Sequence, residues 1–294
     1  MSQPDKCGIR NSEFGMEERQ AESTIPHSTL HIPHSIIDSH AHIFPDKIAA
    51  GAVGGIARFY EMPVAYDGRV ETLFDAGGKA GVSHFVVQSV ATVPAQAASI
   101  NRFIAEQTRL HPDRLTGLGA MHPAGDIAAD FEQILSLGLK GIKLHPDFQQ
   151  FYIDDPAAFP IYERAEGVLP ILIHTGDYRY DYSHPRRLAK VLEAFPKLTV
   201  IAAHFGGWSE WPAAMEYLAG KGLYVDTSSS LYALSPEEAR ELIARFGPER
   251  VLFGTDFPMW EYRAEMERFE KLELDEGTRR RILWENAERL FGIA

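Results

Sequence analysis

Cysteine is almost absent from this 294-residue chain: Cys7 stands alone. One cysteine excludes an intrachain disulfide and any cysteine-rich metal cluster, and it fits a reducing compartment such as the cytoplasm. Uninterrupted apolar stretches are short, so no membrane span is expected. The N-terminus has no apolar signal core. Basic residues are outnumbered, 29 against 41 acidic, for a net charge of −12, which leaves no broad cationic face for nucleic acid. The glycine-rich phosphate turns G-x-G-x-x-G and G-K-[ST] are missing, which argues against an open dinucleotide- or nucleotide-binding sheet.

What is present is an ordinary globular composition, 45% hydrophobic and 24% charged, with 12 histidines. Residues 1–34 are polar and lack apolar periodicity, so they read as a mostly disordered tail. His27, His31 and His34 lie in or near it. Residues 35–294 read as alternating strands and helices. Eight apolar runs begin with Ser35–His40 and His84–Gln88 and continue with Leu115–Met121 and Gly141–His145. Pro170–His174, Thr199–His204, Leu223–Thr227 and Val251–Asp256 complete the set. Helical spacing recurs over Gln96–Leu110, Ile127–Leu137, Pro185–Phe195, Trp211–Gly220 and Pro236–Phe246. Ser235, Pro236 and Glu238 form a capping box at the start of the last of these. Strand ends fall about 30 residues apart, the length of a βα unit. The expected fold is therefore a (β/α)8 TIM barrel, with an open doubly wound sheet as the competitor.

Six histidines sit at or just past strand C-termini: His40, His42, His122, His145, His174 and His204. The eighth strand ends in Asp256. In a parallel barrel these ends share one mouth, where active sites are built. His40 and His42 have one strand parity, so both can reach one ion. Imidazole and carboxylate suit zinc or a similar first-row metal, and His174, His204 and Asp256 are available to complete a mononuclear site. Taken singly, each histidine also fits a hydrogen-bonded core or loop residue. Gly254 is a small inward residue that leaves room for such a site. Asp38 is a candidate partner for a ligand ring, a loop cap or a plain turn residue. Asp226 and Thr227 carry no reading beyond ending the seventh strand.

The ordered set Ile37-Asp-Ser-His-Ala-His, Gly141-Ile-Lys-Leu-His-Pro, Ile173-His-Thr-Gly, Ala203-His-Phe-Gly-Gly, Gly254-Thr-Asp-Phe-Pro and Asn286-Ala-Glu-Arg-Leu-Phe resembles the amidohydrolase superfamily. It is similar to the amidohydrolase-2 branch, which includes aminocarboxymuconate-semialdehyde decarboxylase and related aromatic-acid decarboxylases. The resemblance covers about residues 36–292. It implies a metal-dependent barrel with His40, His42, His174 and Asp256 as ligands of one divalent ion, zinc first and manganese second. It also implies acid/base or polarising work for His204, and for Asp256 a second task with the attacking water. Binuclear members carry a modified lysine or a glutamate on the fourth strand. Here Lys143 stands there, so carbamylation, a substrate-carboxylate contact and a plain ion pair are all open.

The resulting expectation is a metal-dependent hydrolase in which activated water attacks an ester, lactone or amide carbonyl of a small carboxylated substrate. A nonoxidative decarboxylase or other lyase uses the same residues and is the alternative. A non-catalytic binding barrel is the remote one. Lys143, His145 and Arg179 are the substrate-binding candidates, Arg179 as a carboxylate clamp. The stretch after the first strand, with Arg58 and Tyr60, reads as a long loop or lid. The expected partner is a small molecule, without nucleic acid or membrane. A homo-oligomer is the usual state of such barrels.

Overall fold

The computed structural model describes residues 36–293. The tail reading, Cys7, His27, His31 and His34 lie outside the described residues. Among the described residues no helix is long and apolar enough to cross a membrane.

The strands are β1 (Ile36–His42), β2 (Val82–Gln88), β3 (Leu115–Gly117), β4 (Gly119–Ala120) and β5 (Ile142–Leu144). They continue with β6 (Ile171–Ile173), β7 (Val200–Ala202), β8 (Tyr224–Asp226) and β9 (Val251–Leu252). Every pairing is parallel, and strands pair in sequence order within two sheets, β1–β3 and β4–β9. Runs such as Ile171-Leu172-Ile173 are buried throughout, as expected for parallel strands covered on both faces. The third apolar run, expected as one strand, is split at Leu118 into β3 and β4. Its halves pair with opposite neighbours, and Leu118 N donates to Val87 O while Gly119 N donates to Gly141 O. At the other seam Ser39 N donates to Phe253 O, Asp256 N to His40 O and His42 N to Phe257 O. These bonds put β1 beside both β2 and the extension of β9. The sequential order excludes the doubly wound alternative, whose strand order reverses at a switch point.

All eight expected strand positions are occupied, though most are only two or three residues long. The five expected helices are present. Pro236–Phe246 buries Ala239, Leu242, Ile243 and Phe246, and its capping box forms: Ser235 N donates to Glu238 Oε2 at 2.8 Å and Glu238 N to Ser235 Oγ at 3.2 Å. Trp211–Tyr217 stops short of Gly220, whose φ of 80° suits a turn rather than a helix. One segment departs outright from expectation. The stretch after β1 is not a long loop but a 15-residue helix, Asp46–Tyr60, with Arg58 and Tyr60 in its last turn. Its three glycines mask its periodicity.

Candidate metal centre at the strand C-termini

His40 is fully buried, and its ring is fixed from behind. Its Nδ1–H donates to Asp226 Oδ2 at 2.9 Å, with Ser228 Oγ at 3.0 Å. That tautomer turns the Nε2 lone pair to the cavity, where Lys143 Nζ lies 3.0 Å away. Nε2 of His40 lies 3.2 Å from Nε2 of His42, and each lies 3.4 Å from Asp256 Oδ1. Asp256 Oδ2 accepts from Ser229 Oγ at 2.6 Å, and Ser229 Oγ accepts from Trp260 Nε1 at 2.8 Å. A tetrahedral ion about 2.0–2.1 Å from each donor spaces those donors about 3.3–3.4 Å apart. The three atoms therefore fit a first-row divalent ion in chemistry and in spacing. The approach is tight: a Cβ on Gly254 would meet His40 Cβ at 3.0 Å, so glycine is what lets β9's extension run beside the ligand ring.

His174 and His204 form a second pair. His174 Nε2–H donates to Gly176 O at 2.9 Å, and His204 Nδ1–H to Ser228 O at 3.0 Å. The remaining nitrogens, His174 Nδ1 and His204 Nε2, face each other at 3.0 Å. Two bare lone pairs at that distance repel unless a proton or cation lies between them. His174 is thus not in the immediate His40–His42–Asp256 group. It is joined to it through His204, whose ring stacks on His40 with centroids 5.3 Å apart. His204 and Asp256 both hold left-handed backbone, φ 62° and 61°, a strained state for such residues that tends to gather at functional sites.

The electrostatics keep the donors in ligand form. Burial pushes the His40, His42 and His174 rings down, with Lys143 adding to the shift for His40 and His204 for His174. Burial alone would raise Asp256, but His40, His42 and His204 overcome it and hold the carboxyl well below the usual range. Lys143 is buried, with Nζ 3.0 Å from His40 Nε2, and burial lowers it to about 8.

These groups open into a cavity of about 500 Å³ lined by His40, His42, Lys143, His145, His174, His204 and Asp256, among others. Arg179 does not line it. Its guanidinium is bound by both oxygens of Asp177 and by Phe59 O, so the clamp reading is corrected: the cation is already spent within the fold. His122 is also elsewhere, accepting from Ala124 N in a turn. Five of the six strand-end histidines therefore converge. Asp38 does not partner a ring either. It accepts from Thr255 N and Oγ1, Tyr262 OH and His40 N, bracing β1 against the start of the β9 extension.

Three contributors were missed in the sequence. Asp226 supports His40 and accepts from His204 N at 3.0 Å; its strand-end position, like that of Asp256, was the available signal. Asp147 is buried, 3.5 Å from His174 Nε2, and burial lifts its carboxyl to about 7. Tyr60 comes from the unanticipated helix. Its OH lies 2.9 Å from His145 Nε2, while His145 Nδ1 accepts from Phe148 N at 3.3 Å. The His145 ring hydrogen therefore goes to the Tyr60 oxygen, which leaves the phenol hydrogen free to donate. Burial raises the Tyr60 pKa well above its ordinary value, so it stays a donor.

A family model described as amidohydrolase matches residues 37–293, which take in every candidate ligand and every strand but for the first residue of β1. The chain belongs to the amidohydrolase family. Solved structures share this amidohydrolase's fold. An uncharacterised TIM-barrel protein from Bordetella bronchiseptica matches with a TM-score of 0.71 and 24% identity, over 88% of this chain and 99% of that one. A dihydroxybenzoic acid decarboxylase from Polaromonas with bound manganese matches with a TM-score of 0.69 and 17% identity, over 88% and 97%. A candidate 2-pyrone-4,6-dicarboxylic acid hydrolase from Pseudomonas putida matches with a TM-score of 0.62 and 23% identity, over 88% and 98%. The amidohydrolase is thus a TIM barrel, and the solved structures that share its fold include one described as a decarboxylase and one as a candidate hydrolase.

Proposed function

We propose that this amidohydrolase is a metal-dependent hydrolase acting on an ester, lactone or amide carbonyl of a small carboxylated substrate. The observation that carries the reading is the trio of donors at 3.2–3.4 Å, His40 Nε2, His42 Nε2 and Asp256 Oδ1. His40, His42 and Asp256 would hold the ion, and His174, whose Nδ1 faces His204 outside that trio, would be drawn in as the fourth ligand. A divalent ion there, zinc first and manganese second, supplies Lewis acidity and lowers the pKa of water towards about 7.

The chain's own groups do the rest. Lys143, the one lysine or arginine among the described residues lining the cavity, holds the substrate carboxylate. Asp256 is kept ionised by its imidazole neighbours, so it can accept the proton of the attacking water and return it to the leaving group. His204, held in its tautomer by Ser228 O, offers the Nε2 lone pair as the acid/base group that takes up a proton and then returns it. The Tyr60 phenol donates to oxygen as charge develops there.

The position of Lys143 beside His40 also favours a second reading, decarboxylation, in which the leaving carboxylate sits at that end. Zinc- and manganese-loaded enzyme assayed in parallel for CO2 release and for ester, lactone and amide cleavage separates the two. Cleavage without CO2 is expected. CO2 release from a carboxylated substrate, with no carbonyl cleavage, replaces hydrolysis by decarboxylation. Failure to bind stoichiometric metal overturns both.

A further inference from the structure

Away from the histidines the cavity changes character. One wall is a face of the helix Asp46–Tyr60, carrying Ile48, Ala52, Gly55, Ile56 and Phe59 at helical spacing. The facing wall is the helix Ala97–Leu110 with Ile100 and Phe103, interrupted by the uncharged polar residues Ser99 on it and Thr92 and Gln96 just before it. Ile48 is 56% exposed at the outer end, so the arm runs from the donor cluster towards solvent between two faces that are mostly apolar.

Gly55 is unexplained by packing. A Cβ there would find only Arg58 Nη2, at 3.9 Å, and Gly51 would find nothing within 4 Å. Neither has a left-handed backbone that would demand glycine. Alanine would fit and would favour the helix. A residue that breaks local preference without a packing reason points to function. Here the missing side chain, with Ala52 one turn away, is what leaves the arm open.

We propose that this arm binds an unbranched apolar tail, an alkyl chain, of a substrate whose single polar head lies at the histidine cluster, and that Gly55 and Ala52 set the length accepted. The occupant follows from the lining. Lys143 is the one lysine or arginine among the described lining residues and sits at the inner end; the polar residues farther along, Thr92, Gln96 and Ser99, are uncharged, so the arm offers no cation to a second carboxylate. The proposal rests on the metal-site reading for the position of the head, but not for the tail.

The test is calorimetry with n-alkyl hydroxamates of two to eight carbons on the zinc-loaded enzyme and on chelator-stripped protein. Affinity should rise roughly fourfold per added methylene, up to the length of the arm. Gly55→Leu and Ala52→Leu should each flatten the rise beyond about four carbons. Melting temperatures identify a variant that folds poorly, and Gly55→Ala, expected to melt at or above the wild type, checks that packing does not need the glycine. No gain with chain length in the wild type overturns the proposal. So does a gain that persists in both folded leucine variants. Stripping zinc should weaken all ligands while keeping the chain-length slope. If stripping changes nothing, the metal-site reading fails and the apolar arm stands.

Discussion

Asp226 Oδ2 lies 2.9 Å from His40 Nδ1, with both side chains sealed from solvent. One carboxylate at the tip of β8 thus sets which nitrogen of a β1 ring faces the cavity. Carboxylates that orient ligand histidines commonly govern metal affinity. Asp226→Asn should weaken zinc binding about 10–100-fold, measured by chelator competition.

His40 and His204 should separate on substitution. His40→Ala removes a donor of the trio and should lower metal content measured by elemental analysis. His204→Ala should retain metal while turnover falls about 10²–10⁴-fold. Metal loss in the second variant would make His204 a ligand.

Tyr60→Phe keeps the ring that packs edge-on against Phe59 and Trp208 but removes the phenol. Turnover should fall about 10²-fold with little change in metal content, as for loss of one donor to a developing oxyanion. Unchanged turnover would restrict Tyr60 to packing.

Glu265 gives a pH prediction remote from the ligands. It is buried, one carboxylate oxygen has no partner, and burial raises it to about 7 despite the pairing with Arg268. A raised folded pKa means the folded state holds the proton more tightly. The contribution is complete below the unfolded value of about 4.5 and is lost as pH climbs to about 7. Between those values wild type should lose up to about 3 kcal/mol relative to Glu265→Gln. Denaturant unfolding of both across that range measures the difference, and parallel pH curves would contradict it.

The barrel was legible because its signal is local and repeated. Each strand core is an apolar run, and each polar residue that ends one, from His42 to Asp256, marks the same rim. Parity along a strand placed His40 and His42 together. What was not legible depended on partners distant in sequence. Asp226 reads as a strand terminus until β8 is set against β1, 186 residues away along the chain. Arg179 reads as a free cation until Asp177 and Phe59 are seen to hold it. His122 shares the strand-end position of the other five, but its ring turns back on its own backbone. The helix Asp46–Tyr60 was hidden because its three glycines, Gly55 on the cavity face among them, lower helical propensity.

That helix and the strand tips divide the labour of the molecule. The candidate ligands sit at the strand tips, while one apolar wall of the arm leading away from them is borne by the segment that follows β1. Exchanging side chains along one helical face can therefore retune what enters without altering what reacts. Lineages diverging from such an ancestor can acquire new diets by changes at a handful of positions, with the chemistry inherited intact.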